Sequence, residues 1–139
     1  MEELEKYLKH LNRPAEVALA TVEGDKPAIR VFQVMRREGT TLYFATGKQK
    51  RVYQQLLSNP NVEIMAMRGN VFVKAMGRAD FAVDDATCQA IYAENPVLPR
   101  LYADYKLLAY FKMDIEGLEY YDLRPTPPVC EFYDLREQK

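Results

Sequence analysis

The residues of this chain best suited to chemistry are cations. In FATGKQKRVYQQL, Phe44 to Leu56, the side chains of Lys48, Lys50 and Arg51 crowd the point where a strand turns into a helix. A helix start is already electropositive, because its first amides lack intrahelical partners and its dipole points positive end outward. Cations there repel one another unless an anion sits among them, and a phosphate would turn the repulsion into attraction. Long Lys and Arg side chains can also extend into water at little cost. The stretch alone therefore leaves an anion site and a solvated turn both open. Arg30 is the other candidate. In AIRVFQV, period-two alternation sets Ala28, Arg30, Phe32 and Val34 on one face of a strand, and Ile29, Val31, Gln33 and Met35 on the other. A guanidinium in mid-strand among apolar neighbours calls for a carboxylate or phosphate partner. An internal ion pair or a solvent-facing position would also satisfy it.

Much familiar chemistry is excluded. The only histidine, His10, falls off the apolar face of a predicted helix, so a Ser/His or Cys/His pair would need that helix folded over the site. The only serine, Ser58, stands in a helix-stopping SNP, a turn or capping context. No HExxH, CxxC, P-loop or GxGxxG spacing occurs. Asp84 and Asp85 read as helix caps rather than as a catalytic carboxylate pair. A bound organic cofactor would need few reactive side chains, since the protein then supplies binding, orientation and electrostatics. Tyr105, Tyr110 and Phe111 are candidates to line such a group, although tyrosines in a sheet more often serve packing. No residue is assigned a catalytic role.

The elements that must hold these cations follow from hydrophobic patterning. Leu4, Tyr7, Leu8 and Leu11 keep helical spacing, so residues 1–12 are an N-terminal helix stopped near Asn12-Arg13-Pro14. EVALATV and AIRVFQVMR are strands joined by EGDKP, and EGT turns the chain into TLYFAT. Val52, Tyr53, Leu56 and Leu57 form the apolar face of the next helix, which Pro60 ends. VEIMAM and VFVKAMGRADFAV flank the hairpin turn RGN, and DATCQAIYAEN is a short capped helix. PVLPRLYADYK is a connector, LLAYFKMDI and LEYYDL are strands about a Glu-Gly turn, and residues 124–139 form a C-terminal arm. About six or seven strands in hairpins, with few helices between them and turns too short for parallel crossovers, predict a mainly β fold, an antiparallel barrel or a strongly bent sheet.

Composition sets the outer bounds. A chain of 139 residues with 48% hydrophobic content fits one domain over 1–139. Nineteen basic residues against twenty acidic leave a net charge of -1, which gives no global field for nucleic acid or an anionic membrane. No apolar run approaches the roughly 20 residues needed to span a bilayer, and MEELEKYLKHLNRP is charged throughout, so a cytoplasmic protein is expected. Cys88 and Cys130 read as reduced core thiols rather than as a disulfide or metal site.

The succession ALATVEGDKPAIRVFQV, LYFATGKQKRVYQQLLSNPNVEI and VFVKAMGRADF resembles the FMN-binding split-barrel proteins related to pyridoxamine 5'-phosphate oxidase, in particular their short general-stress or nitroreductase-like members. The resemblance runs from about Val17 to about Asp122. It implies a six-stranded antiparallel split barrel that forms a homodimer with FMN at the interface, and a small-molecule substrate. It also implies roles for residues. Arg30 would reach the phosphate or ribityl region, with the backbone of Val31, Phe32 and Gln33 beside the flavin. Ala45 and Thr46 would meet the ring or its linker, and Lys50 and Arg51 would hold the phosphate, with Lys48 a weaker contact. Where many relatives carry a phosphate-loop serine, this chain reads Gln49-Lys50, a charge in place of a hydroxyl. Pyridoxamine phosphate oxidases grip substrate with a C-terminal arginine and histidine, whereas CEFYDLREQK has no histidine. The resemblance thus implies the cofactor, not vitamin B6 oxidation. The fold is also compatible with haem, disfavoured by the single histidine, or with a deazaflavin, whose phosphate would use the same cations.

Overall fold

The computed structural model describes residues 2–136. The first helix, α1 (Glu2–Leu8), tightens into a 3-10 turn over Lys9–Leu11, and Leu4, Tyr7, Leu8 and Leu11 are all buried, as their spacing predicts. Strands β1 (Ala15–Glu23), β2 (Lys26–Val34), β3 (Arg36–Glu38) and β4 (Thr41–Gly47) follow, then helix α2 (Arg51–Ser58). After these come β5 (Asn61–Arg68), β6 (Val71–Asp80), α3 (Asp85–Glu94), α4 (Val97–Leu101), β7 (Leu108–Asp122) and β8 (Val129–Asp134). No helix among the described residues is long and apolar enough to cross a membrane.

All strand pairings are antiparallel, in the order β2-β1-β5-β6-β7-β4-β3, with β8 added to β7. The two ends of that order explain the shape. β2 and β3 are one run of chain interrupted only at Met35, yet they lie at opposite edges of the sheet. The sheet must therefore curl until its edges meet at Met35, whose N–H donates to the Tyr43 carbonyl at 2.9 Å. Taking β2 and β3 as one bent strand, β1, β4, β5, β6 and β7 complete a six-stranded split barrel, with β8 outside that count. Closure is partial. β4 pairs with β7 along its whole length, but β3 covers its other edge only from Thr41 to Tyr43. Phe44 to Gly47 thus face the open edge of β2 across a split.

Alternation fills the barrel. Along β1, Val17, Leu19 and Thr21 are buried, and on β2 the inward series is Ala28, Arg30, Phe32 and Val34. Phe44 and Phe111, both fully buried, stack at 5.1 Å between ring centres, with Phe32 and Phe81 against them. A second cluster of Met35, Ile91, Leu98, Leu108 and Tyr110 lies under α3 and α4. Met35 leaves the outward series its spacing assigns it, because the chain bends there from one sheet edge to the other.

Several local expectations change. Glu116-Gly117 is not a turn: β7 runs through it, and pairing with β6 shifts register there. The extra residue is absorbed as a bulge. Facing it, Gly77 lies so close to β7 that a Cβ would come 2.4 Å from the Asp114 carbonyl oxygen. At the same point β7 exchanges its neighbour on the other edge, from β4 to β8. Part of the predicted C-terminal arm is therefore strand, tied to α1 through Tyr7 and Tyr133, which both donate to the Glu131 carboxylate. The last three residues of the arm, 137–139, lie outside the described residues. Cys88 is half-buried and Cys130 exposed, both free, so neither is the core thiol the sequence suggests. Asp84 caps α3, accepting from the Thr87 N–H at 2.8 Å.

Candidate functional site

The split in the barrel opens into a cleft of about 620 Å³, within the range of roughly 300–1,000 Å³ usual for small-molecule sites. Its floor is the free edge of β2 at Arg30, Val31, Phe32 and Gln33, facing Ala45, Thr46 and Gly47 of β4. An edge strand leaves every second N–H and C=O without a ladder partner, so this floor offers backbone hydrogen bonds to a ligand. One end is cationic, formed by Arg30 with Lys50 and Arg51 at the start of α2. The opposite wall is apolar, made by Met35, Leu108 and the α4 residues Val97, Leu98 and Leu101, with Tyr102 beside them.

Eight sequence-predicted residues, Arg30, Val31, Phe32, Gln33, Ala45, Thr46, Lys50 and Arg51, line this one cleft. Lys48 does not line it and stays exposed on the turn. The α2 start is bare. Its N-cap is Lys50, which makes no side-chain cap bond, and its first turn holds no acid. Arg51 is 81% exposed and pairs with Glu23 at 2.5 Å, a surface contact of the kind that contributes little. The Gln55 amide and Arg51 both donate to Glu23 and lower its carboxyl pKa. Lys48 and Lys50 make no ion pair among the described residues.

Arg30 has a different environment. Its Nη1 donates to the Thr21 hydroxyl at 2.8 Å and to the Leu19 carbonyl at 3.2 Å, and its Nη2 donates to Gln55 Oε1 at 2.6 Å. All three acceptors are neutral. Among the described residues the internal ion pair that would explain a half-buried arginine is absent, and the Nε–H donates to nothing. Burial, then the nearby positive charge of Arg51, lower the pKa of Arg30, and Glu23 offsets part of this. Arg30 and Arg51 thus bring two mutually repelling positive charges to one end of the cleft.

The aromatics expected beside a cofactor lie elsewhere. Phe111 is in the barrel core. Tyr110 is buried, donating to the Tyr105 carbonyl, and burial raises its pKa well above the ordinary phenol range. Tyr105 donates to Asp85 on the surface. Sequence reasoning missed Tyr102 and the α4 wall, because Pro96 and Pro99 disguise a helix as a connector. Val97, Leu98 and Leu101 nonetheless keep helical spacing, and Pro99 stands in the first turn, where its missing N–H costs nothing. His10 is half-buried beside a separate cavity with Glu16, Gln33 and Arg68, and burial lowers its pKa.

The sequence profile of the pyridoxamine 5'-phosphate oxidase family matches residues 3–124. No curated protein matches the chain. Among solved structures, general stress protein 26 of Bacillus anthracis str. Sterne is 24% identical, with a TM-score of 0.78 over 97% of this chain and 100% of that one. A NimC/NimA family protein of Clostridium acetobutylicum is 21% identical, with a TM-score of 0.79 over 96% and 93%. A pyridoxamine 5'-phosphate oxidase-related, FMN-binding protein of Nostoc punctiforme PCC 73102 is 15% identical, with a TM-score of 0.75 over 96% and 88%. A haem-binding protein of Mycobacterium smegmatis, with a TM-score of 0.69, and an F420 reductase, with one of 0.67, share the architecture. At these identities the likeness shows the fold alone.

Proposed function

The chain belongs to the pyridoxamine 5'-phosphate oxidase family, and from that premise we propose that it binds FMN in the cleft and acts as an oxidoreductase, passing electrons from a reduced nicotinamide to a small organic acceptor. The observation that carries this reading is the meeting of a cationic end, an open strand edge and an apolar wall in one cleft of suitable volume. FMN has a phosphate, a polar linker and ring edge, and a flat apolar ring face, and each finds its complement here. Arg30, Lys50 and Arg51 hold the phosphate. The backbone of Val31 to Gln33 and the Ala45-Thr46 segment meet the linker and ring edge, while Leu98, Leu101 and Tyr102 keep water from the ring. Lys48 contributes only long-range charge. When bound, FMN supplies hydride and single-electron transfer, chemistry that belongs to the cofactor. The chain's own part is to bind, orient and shield it, and none of its side chains is assigned as catalytic.

The working unit in this reading is a homodimer. Ile29 and Val31 are 70% and 68% exposed on the outer face of β2, and Met67 is 64% exposed on the same face of the sheet, two residues along from Met65 in the row Val31, Ala18, Met65. Val31 belongs both to this face and to the cleft. A second copy laid against the face would cover the apolar side chains and close the open side of the cleft. The F420 and haem relatives define the competing ligands. Turnover is tested by the rate at which the FMN-loaded protein oxidises reduced nicotinamide, compared with free FMN at equal concentration. A faster rate is expected. Equal rates would leave a flavin-binding protein without turnover, in storage, sensing or stress protection.

A further inference from the structure

Gln55 occupies a position that helical spacing reserves for an apolar side chain. It lies on the buried stripe of α2 with Val52 and Leu56 and is 5% exposed, while Leu57, the residue predicted for that face, is 53% exposed. A buried amide is costly unless its hydrogen bonds are made. Here they are made, and to a pattern. Gln55 Oε1 accepts from Arg30 Nη2 and from the Thr21 hydroxyl, both at 2.6 Å, while its Nε2 donates to Glu23 at 3.3 Å. Thr21, 2% exposed, donates its hydroxyl hydrogen bond to Gln55 and accepts from Arg30 Nη1.

The arrangement does two things to Arg30. It fixes the guanidinium from behind, through the Leu19, Thr21 and Gln55 oxygens, so little rotamer freedom remains to be lost on binding. It also fixes it without neutralising it. A carboxylate in place of Gln55 would hold the arginine as firmly but cancel the charge a ligand is meant to meet. Glu23, the nearby carboxylate, is held instead by the Gln55 amide and by Arg51.

We propose that Gln55 is a positioning residue which, with Thr21, aims Arg30 into the cleft and keeps Glu23 off it, so that Arg30 meets a ligand phosphate with its charge uncompensated. This rests on the phosphate reading of the cleft. The test uses FMN and riboflavin, which differ only by the phosphate, and reads the ratio of their affinities in wild-type, Gln55→Met and Gln55→Glu proteins. Methionine keeps the volume and removes the acceptor, and glutamate keeps the acceptor and adds the cancelling charge.

Riboflavin affinity is expected to stay within about twofold in both variants, while the preference for FMN falls by about tenfold or more, further in Gln55→Glu. In an Arg30→Ala background, Gln55→Met should lower the preference no further, because its effect passes through Arg30. A wild-type preference for FMN that survives unchanged in both variants overturns the positioning role. So does an equal loss with and without Arg30. Equal wild-type affinity for FMN and riboflavin overturns the phosphate reading and this proposal with it. Thr21→Val, isosteric and lacking one of the Arg30 acceptors, gives the same readout should Gln55→Met fail to fold.

Discussion

Arg30→Ala is expected to weaken FMN binding by about ten- to a hundredfold, corresponding to the roughly 1.5–3 kcal/mol of a hydrogen bond to a charged group. Riboflavin binding should change little. The asymmetry follows from where the charge sits. Arg30 is inward-facing, held by three neutral oxygens and, among the described residues, without a carboxylate partner. Its charge is therefore available to a phosphate and not screened as a surface charge would be. Lys50→Ala should have a smaller effect, because that side chain is exposed at the cleft rim and its charge is screened by solvent. Fluorescence titration of the two flavins into folded wild-type and Arg30→Ala protein makes the measurement. Unchanged FMN affinity in the variant would remove Arg30 from the site.

Val31→Asp is expected to convert a dimer into monomers. Val31 stands 68% exposed beside Ile29 on an apolar face, so a carboxylate there is harmless to an isolated chain. Buried against a second copy it would be an unpaired charge, and the two-fold interface would bury one from each copy. Sedimentation at several concentrations should give a wild-type dimer and a variant monomer. Flavin affinity should fall with it, since the open side of the cleft then loses its cover. A wild-type protein that sediments only as a monomer while holding flavin would contradict the dimer.

How far the sequence carries can be judged residue by residue. The two faces of β2 are legible because alternation has only two outcomes: Arg30 and Phe32 turn inward, Val31 and Gln33 outward. The α2 start is legible from its cluster of cations, Lys48, Lys50 and Arg51. Other features depend on contacts that no local pattern contains. The split exists because β2 and β3, adjacent in sequence, close opposite edges of the sheet, and only the strand order reveals this. Glu116-Gly117 reads as a turn because glycine usually marks one, but in β7 it accompanies a bulge where the neighbouring strand changes. Gln55 has no place in the apolar face read from spacing and is nonetheless buried, because Arg30 and Thr21 satisfy it from across the barrel end. The α4 wall is hidden by its prolines.

The most direct test of the cleft as a flavin phosphate site is the visible absorption of the purified protein after incubation with FMN and desalting, with F420 and haem run in parallel. A flavin spectrum that travels with the protein is the expected result. A protein that emerges without flavin, while retaining F420 or haem or nothing at all, would contradict the assignment of Arg30, Lys50 and Arg51 to FMN.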